Sequence, residues 1–92
     1  MIKSFKCTDT RKLFEAGRSK RFGSIATVAT RKLALLDAAE TLEFLRSPPG
    51  NRLEALQGDR TGQHSIRIND QWRICFRWTD AGAEEVEIVD YH

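Results

Sequence analysis

The chain has 92 residues, 40% of them hydrophobic and 30% charged, with a formal net charge of +2. That length fits one domain with a modest core, and the balance of apolar and charged residues excludes a disordered chain. No apolar run approaches the roughly 18 residues of a membrane-spanning helix, and MIKSFKCTDTRKLFEAG lacks the apolar segment and cleavage site of a secretion signal.

The alternation of IKSFKC, with Ile2, Ser4 and Lys6 opposite Lys3, Phe5 and Cys7, predicts a short N-terminal strand. TDTRKLFEAG then reads as a helix, capped by Thr8 or Asp9, stopped by Gly17 and burying Leu13 and Phe14. Helical spacing of Phe22, Ile25, Val28, Ala29, Leu33, Leu35, Leu36, Ala39, Leu42 and Leu45 predicts a second helix over residues 19–45. Ser19 or Ser24 would cap it, and SPPGN would end it. QHSIRI and QWRICFRW are alternating runs joined at Asn69-Asp70, and TDAGA turns the chain into a last strand, EEVEIVDY. The expected fold is α+β, in the order β-α-α-β-β-β, with two helices packed on one face of a mostly antiparallel sheet.

Strand parity sorts the side chains by face. Ile66, Ile68, Trp72, Ile74, Phe76 and Trp78, with Val86 and Ile88, form an apolar face that must meet the helices. The other face carries Ser65, Arg67, Arg73, Cys75, Arg77, Glu85, Glu87, Val89 and Tyr91. Three guanidiniums on adjacent strands match phosphate oxygens and keep their charge near neutral pH. Cross-strand pairing with Glu85 and Glu87 is the plainer alternative.

Charge is unevenly spread. Residues 1–35 hold nine Lys and Arg against two acids, a net +7, whereas residues 36–92 hold six against eleven, a net −5. A basic first third suits a polyanion or an acidic partner, or else is a set of solvated helix faces. Cys7 and Cys75 fall in no metal-binding or CxxC spacing and read as reduced, mostly buried thiols of a cytosolic protein. His64 and His92 are the only histidines, so no metal site is expected, and His64 falls on the apolar parity as a core or edge residue.

Two features remain. Gly58 and Gly62 bracket Asp59, Arg60 and Thr61 in a tight loop, with Glu54 just upstream as either a surface acid or a base facing the arginines. The final Asp90, Tyr91 and His92 place a carboxylate, a phenol and an imidazole directly after a strand. The nearby α-carboxylate would favour an imidazolium at His92, able to stabilise or protonate a phosphate oxygen.

RLEALQGDRTGQHSIRINDQWRICFRW and EIVDYH, preceded by MIKSF and two helices, resemble the HigB toxins of the RelE/ParE superfamily, especially their GraT-like members. The resemblance covers essentially the whole chain and rests on L-x-G-x-R-x-G, S-I-R-I-x-x-x-W-R and the D-Y-H ending. It implies a RelE-like microbial RNase-type fold and a bacterial, cytoplasmic type II toxin. It further implies a ribosome-dependent, metal-independent mRNA endonuclease that works at the decoding site without a cofactor. A helix-turn-helix antitoxin of the HigA type would neutralise it, with operator DNA bound only through the antitoxin complex and no membrane involved. The family's catalytic cluster falls on Asp90, Tyr91 and His92, and its phosphate-binding arginine on Arg73. Gln57 stands where a basic residue is common, and Glu54 where related toxins have a histidine, which leaves Glu54 as general base or bystander. Contacts to RNA or the ribosome are expected of Arg67, Arg77 and Arg60, and of the basic Lys20, Arg21, Arg31 and Lys32. Two alternatives stay open: a ParE-like gyrase inhibitor that cuts nothing, and a non-catalytic binder of ribosomes or nucleic acid.

Overall fold

The structure, a computed structural model, describes residues 1–90. Helix α1 spans Thr8–Ala16 and stops where predicted, because Gly17 takes a left-handed backbone (φ 74°) and donates its N–H to the Leu13 carbonyl at 2.8 Å. Its start differs: Cys7 is the N-cap residue, and no side chain caps the turn. Thr10 and Leu13 are its buried residues, and Phe14 is half-buried, stacked at a tilt on Phe5 with ring centroids 5.7 Å apart.

The long second helix is broken. A 3-10 turn at Gly23–Ile25 leads into α2, Ala26–Ala38, and a second 3-10 turn follows at Glu43–Arg46. Ser19 Oγ accepts the Phe22 N–H ahead of the first turn, while Ser24 makes no cap. Ala39 is extended (φ −68°, ψ 125°), and Thr41 Oγ1 accepts the Phe44 N–H at 3.2 Å. A threonine that serves the next turn competes with continuation of the helix, although the apolar spacing runs on to Leu45. Val28, expected in the core, is instead exposed.

The sheet has four antiparallel strands in sequence order, β1 (Glu54–Ala55), β2 (His64–Arg67), β3 (Trp72–Thr79) and β4 (Gly82–Asp90). The two-residue β1 has no counterpart among the predicted strands and adds the fourth strand. The N-terminal segment, predicted to be a strand, lies parallel to β4 through two isolated bridges, Ile2 to Ala83 and Phe5 to Val86. A bulge explains the interruption: the β3–β4 register shifts between Cys75 and Arg77, and Glu85 takes φ 52°. Ser4 then serves two donors, its carbonyl taking Val86 N–H at 3.1 Å and its hydroxyl Glu85 N–H at 2.9 Å. Farther along, Thr10 Oγ1 takes the Ile88 N–H at 3.0 Å, so the outer edge of β4 is covered.

The bulge also sets the core. Ala83, Val86 and Ile88 all reach it from β4, a spacing that strict alternation does not give. They pack with Leu13, Ala29, Leu33, Leu36, Ile66, Ile74 and Phe76 between helices and sheet. Each such large side chain contributes roughly 1.5–3 kcal/mol on burial. Asn51, fully buried, ties the connecting segment together by donating to the Leu45 and Ser47 carbonyls, both at 3.2 Å, and accepting from Lys32 Nζ. Among the described residues no helix is long and apolar enough to cross a membrane.

Candidate active site

The face of the sheet away from the helices carries the arginines, and register groups them into rows. Arg67 pairs with Arg73, which pairs with Val89. In the next row Glu54, Ser65, Cys75 and Glu87 follow one another from β1 to β4. Arg77 pairs with Glu84 beyond them.

Arg73 is the most enclosed of these cations, its side chain only 11% exposed. Its Nη2 donates to the Arg52 carbonyl at 2.7 Å, and its Nη1 lies 3.5 Å from Glu54 Oε1. The Arg52 carbonyl is available because Arg52 adopts a left-handed backbone (φ 45°, ψ 57°) after the 3-10 turn at Pro49–Asn51. That conformation costs a non-glycine residue roughly 1–3 kcal/mol, and such strain collects at functional sites. Arg67 stands directly opposite, held by Asp70, whose carboxylate is almost wholly exposed. Two like charges in register repel. Glu54 and Asp70 offset that repulsion, and an incoming phosphate can offset it as well.

The other arginines are also partnered. Arg77 Nε is 2.8 Å from Glu85 Oε2, the cross-strand pairing anticipated as the plainer alternative. Its guanidinium lies against Gly62, where φ is 92°, a backbone that favours glycine; a Cβ there would fall 2.7 Å from Nη1 and push the guanidinium aside. Arg60 crosses to Glu87, with 2.9 Å between Nη2 and Oε1, and also reaches Gln63 Oε1 at 3.1 Å. Beneath lie Ser65 and Cys75, both fully buried. Burial pushes the Cys75 thiol upward, Glu87 adding to the effect and the cations Arg60, Arg73 and Lys6 opposing it.

Thus Glu54, Arg67, Arg73, Arg77 and Arg60 gather on one face. Asp90 ends β4 opposite Trp72, one residue beyond Val89 and the Arg73 row, and accepts from Gln71 Nε2 at 3.1 Å. Tyr91 and His92 lie outside the described residues. The N-terminal cations are not part of this group. Lys20, Arg21, Arg31 and Lys32 belong to the helical layer, where Arg21 pairs with Asp9 at 3.3 Å, lies over the Phe22 ring, and Lys32 is engaged by Asn51. Gln57 is exposed at the loop entry. His64 stacks on Phe76 at 6.3 Å, yet its Nδ1 is buried without a hydrogen-bond partner among the described residues. It is packed but not satisfied. Among the described residues no three His, Cys, Asp or Glu side chains come together as metal ligands.

Sequence reasoning missed the Arg52 carbonyl and the Arg60–Glu87 pair. A carbonyl's direction leaves no trace in residue identity, and that ion pair joins positions far apart in sequence. The Arg60 of L-x-G-x-R-x-G was visible, its partner was not.

Chemically, the face offers a fixed guanidinium, a second cation opposite it, and a half-exposed carboxylate beside the first. Such a set binds and polarises a phosphodiester. Comparison with known proteins is consistent with this. Toxin HigB-1 of Vibrio cholerae is 50% identical over 60 residues, 65% of this chain and 63% of the relative. An uncharacterised protein of Haemophilus influenzae is 38% identical over 60 residues, 65% of this chain and 59% of that protein. These two matches therefore span less than two thirds of either relative. Endoribonuclease HigB of Proteus vulgaris is 34% identical over 94 residues, the full length of both chains. The profile of the family described as the RelE-like toxin of type II toxin-antitoxin system HigB matches residues 3–92, and the chain belongs to that family.

Proposed function

We propose that residues 1–92 act as one domain, a ribosome-dependent endoribonuclease that cuts messenger RNA in the bacterial cytoplasm and stops translation. The observation that carries this reading is the immobilised Arg73, braced by the Arg52 carbonyl and Glu54 and paired in register with Arg67. Its support from relatives is the full-length similarity to Endoribonuclease HigB. A type II toxin implies an antitoxin partner; a HigA-type helix-turn-helix protein is the proposed one, with operator DNA reached through that complex.

The RNA supplies its own nucleophile, so the scheme calls for no metal. The 2′-oxygen attacks the adjacent phosphorus as its proton passes to a base. The bond from phosphorus to the 5′-oxygen then breaks, and an acid protonates that oxygen. The products are a 2′,3′-cyclic phosphate and a 5′-hydroxyl. Arg73 stabilises the charge gathering on the phosphate oxygens, and Arg67 assists once the phosphate displaces Asp70. Glu54, beside Arg73, is assigned the 2′-proton. A carboxylate is intrinsically a weak base, so the enzyme is a slow one unless the ribosome completes the site. His92 is assigned the leaving-group proton, Tyr91 base stacking or a phosphate hydrogen bond, and Asp90 the orientation of that pair.

The test is primer extension on messenger RNA in a translation reaction, with EDTA-treated protein and with a variant lacking His92. Cuts that require ribosomes and vanish with the deletion are expected. Intact messenger together with inhibited DNA supercoiling would replace this reading with a gyrase inhibitor. Intact messenger with stalled ribosomes would point to a binder acting through its basic residues.

A further inference from the structure

The loop between β1 and β2 bonds mostly to itself. Leu56 N–H closes it on the Gln63 carbonyl at 2.9 Å, and inside it Arg60 bonds Gln57, Thr61 bonds Gly58 and Gln63 bonds Arg60 through their main chains. Thr61 Oγ1 adds a 2.7 Å bond to the Gly58 carbonyl. Such a loop has a fixed internal shape but needs an anchor to fix its pose. Arg60 supplies one, spanning from the loop to β4 to meet Glu87 at 2.9 Å. Glu87 is only 14% exposed, so a partner cation offsets the cost of enclosing its charge. The span passes over the Ser65–Cys75 row, where Ser65 Oγ is buried without a hydrogen-bond partner among the described residues.

We infer that Arg60 is a positioning residue, strapping the β1–β2 loop across the polar face through Glu87 and thereby fixing Glu54 relative to Arg73. This rests on the cleavage reading above, since it assigns Glu54 and Arg73 their work. β1 enters the loop at Glu54–Ala55, and Glu54 pairs with Ser65 in register. Releasing the loop therefore loosens β1, Ala55 and then Glu54, and uncovers Cys75. On this inference Arg60 acts through Glu87 and Gln63 rather than on RNA.

Two readouts test the strap, one catalytic and one independent of RNA. In Arg60→Ala, kcat for ribosome-bound messenger should fall about 100-fold with little change in KM, the size of effect a displaced catalytic group gives. Native-state alkylation of Cys75, followed by mass spectrometry, should rise on the order of tenfold as the loop opens. Glu87→Ala should do the same, and the exchanged pair Arg60→Glu with Glu87→Arg should recover much of both. Should Arg60→Ala not fold, Arg60→Lys and Glu87→Gln carry the same two readouts. A raised KM with unchanged Cys75 labelling would overturn the strap and make Arg60 an RNA contact. If the wild-type protein cuts no RNA, the cleavage reading falls by itself. The labelling of Cys75 then still decides whether the strap exists.

Discussion

The two faces of the sheet are stabilised by different means. Toward the helices, Ile66, Ile74, Phe76, Val86 and Ile88 are buried among aliphatic and aromatic neighbours, and the interaction is non-directional. Away from them, Arg60, Arg67, Arg73 and Arg77 are each paired with a particular carboxylate. The apolar face contributes most of the stability. The arginine face contributes less, because pairs such as Arg67–Asp70 and Arg77–Glu85 reach well into solvent and exposed ion pairs are individually worth only about 0–1 kcal/mol. Its order is useful for another reason: a phosphate can exchange with a carboxylate at small net cost. On the proposed function, fold and chemistry are therefore separable, one on each side of a single layer.

Substitutions on either face can break that separation. Phe76→Ala should destabilise the protein by about 3–5 kcal/mol, measured by urea unfolding, since a fully buried ring is lost from the core. Arg73→Ala should leave the unfolding midpoint nearly unchanged while lowering the cleavage rate by about 10²–10³-fold. If Arg73→Ala unfolds the protein instead, the division between faces is wrong. Asn51→Ala, at the junction of α2 with the segment leading to Arg52, should cost about 1–3 kcal/mol by leaving two carbonyls and Lys32 without their partner. It should also impair cleavage, because the Arg52 carbonyl that holds Arg73 follows directly.

The smallest expected effect concerns Cys75, which lies on the arginine side yet is fully buried. Its thiol is raised above the ordinary 9.0, chiefly by desolvation. The unfolded chain loses that proton from about pH 9 upward while the native protein keeps it, so stability is full below that pH and declines above it. Unfolding curves across pH 8–10 should show a component that Cys75→Ala removes. Cys75 should also label more slowly than the half-buried Cys7 in the native protein.

Much of this was legible in the chain. Alternation in SIRI and WRICFRW placed Ile66, Ile74 and Phe76 inward and Arg67, Arg73 and Arg77 outward, and Gly17 marked the end of α1. Three elements depart from the local pattern for reasons that lie outside it. Periodicity carried the second helix to Leu45 because it does not register Thr41 capturing a backbone N–H. The N-terminal run alternates like a strand, yet Ile2 and Phe5 meet β4 three residues apart, as the bulge at Glu85 demands. β1 is two residues long, too short for any period to show.

By itself the sequence determined which residues are apolar at helical or strand spacing, and hence what must be buried and which cations must share the remaining face. Side-chain period is a local property, so burial follows from it. Only the tertiary structure decided that Arg73 meets the Arg52 carbonyl and Glu54, and that Arg60 crosses to Glu87. Those contacts depend on strand register, a bulge and one left-handed backbone, which are chosen by the whole fold at once.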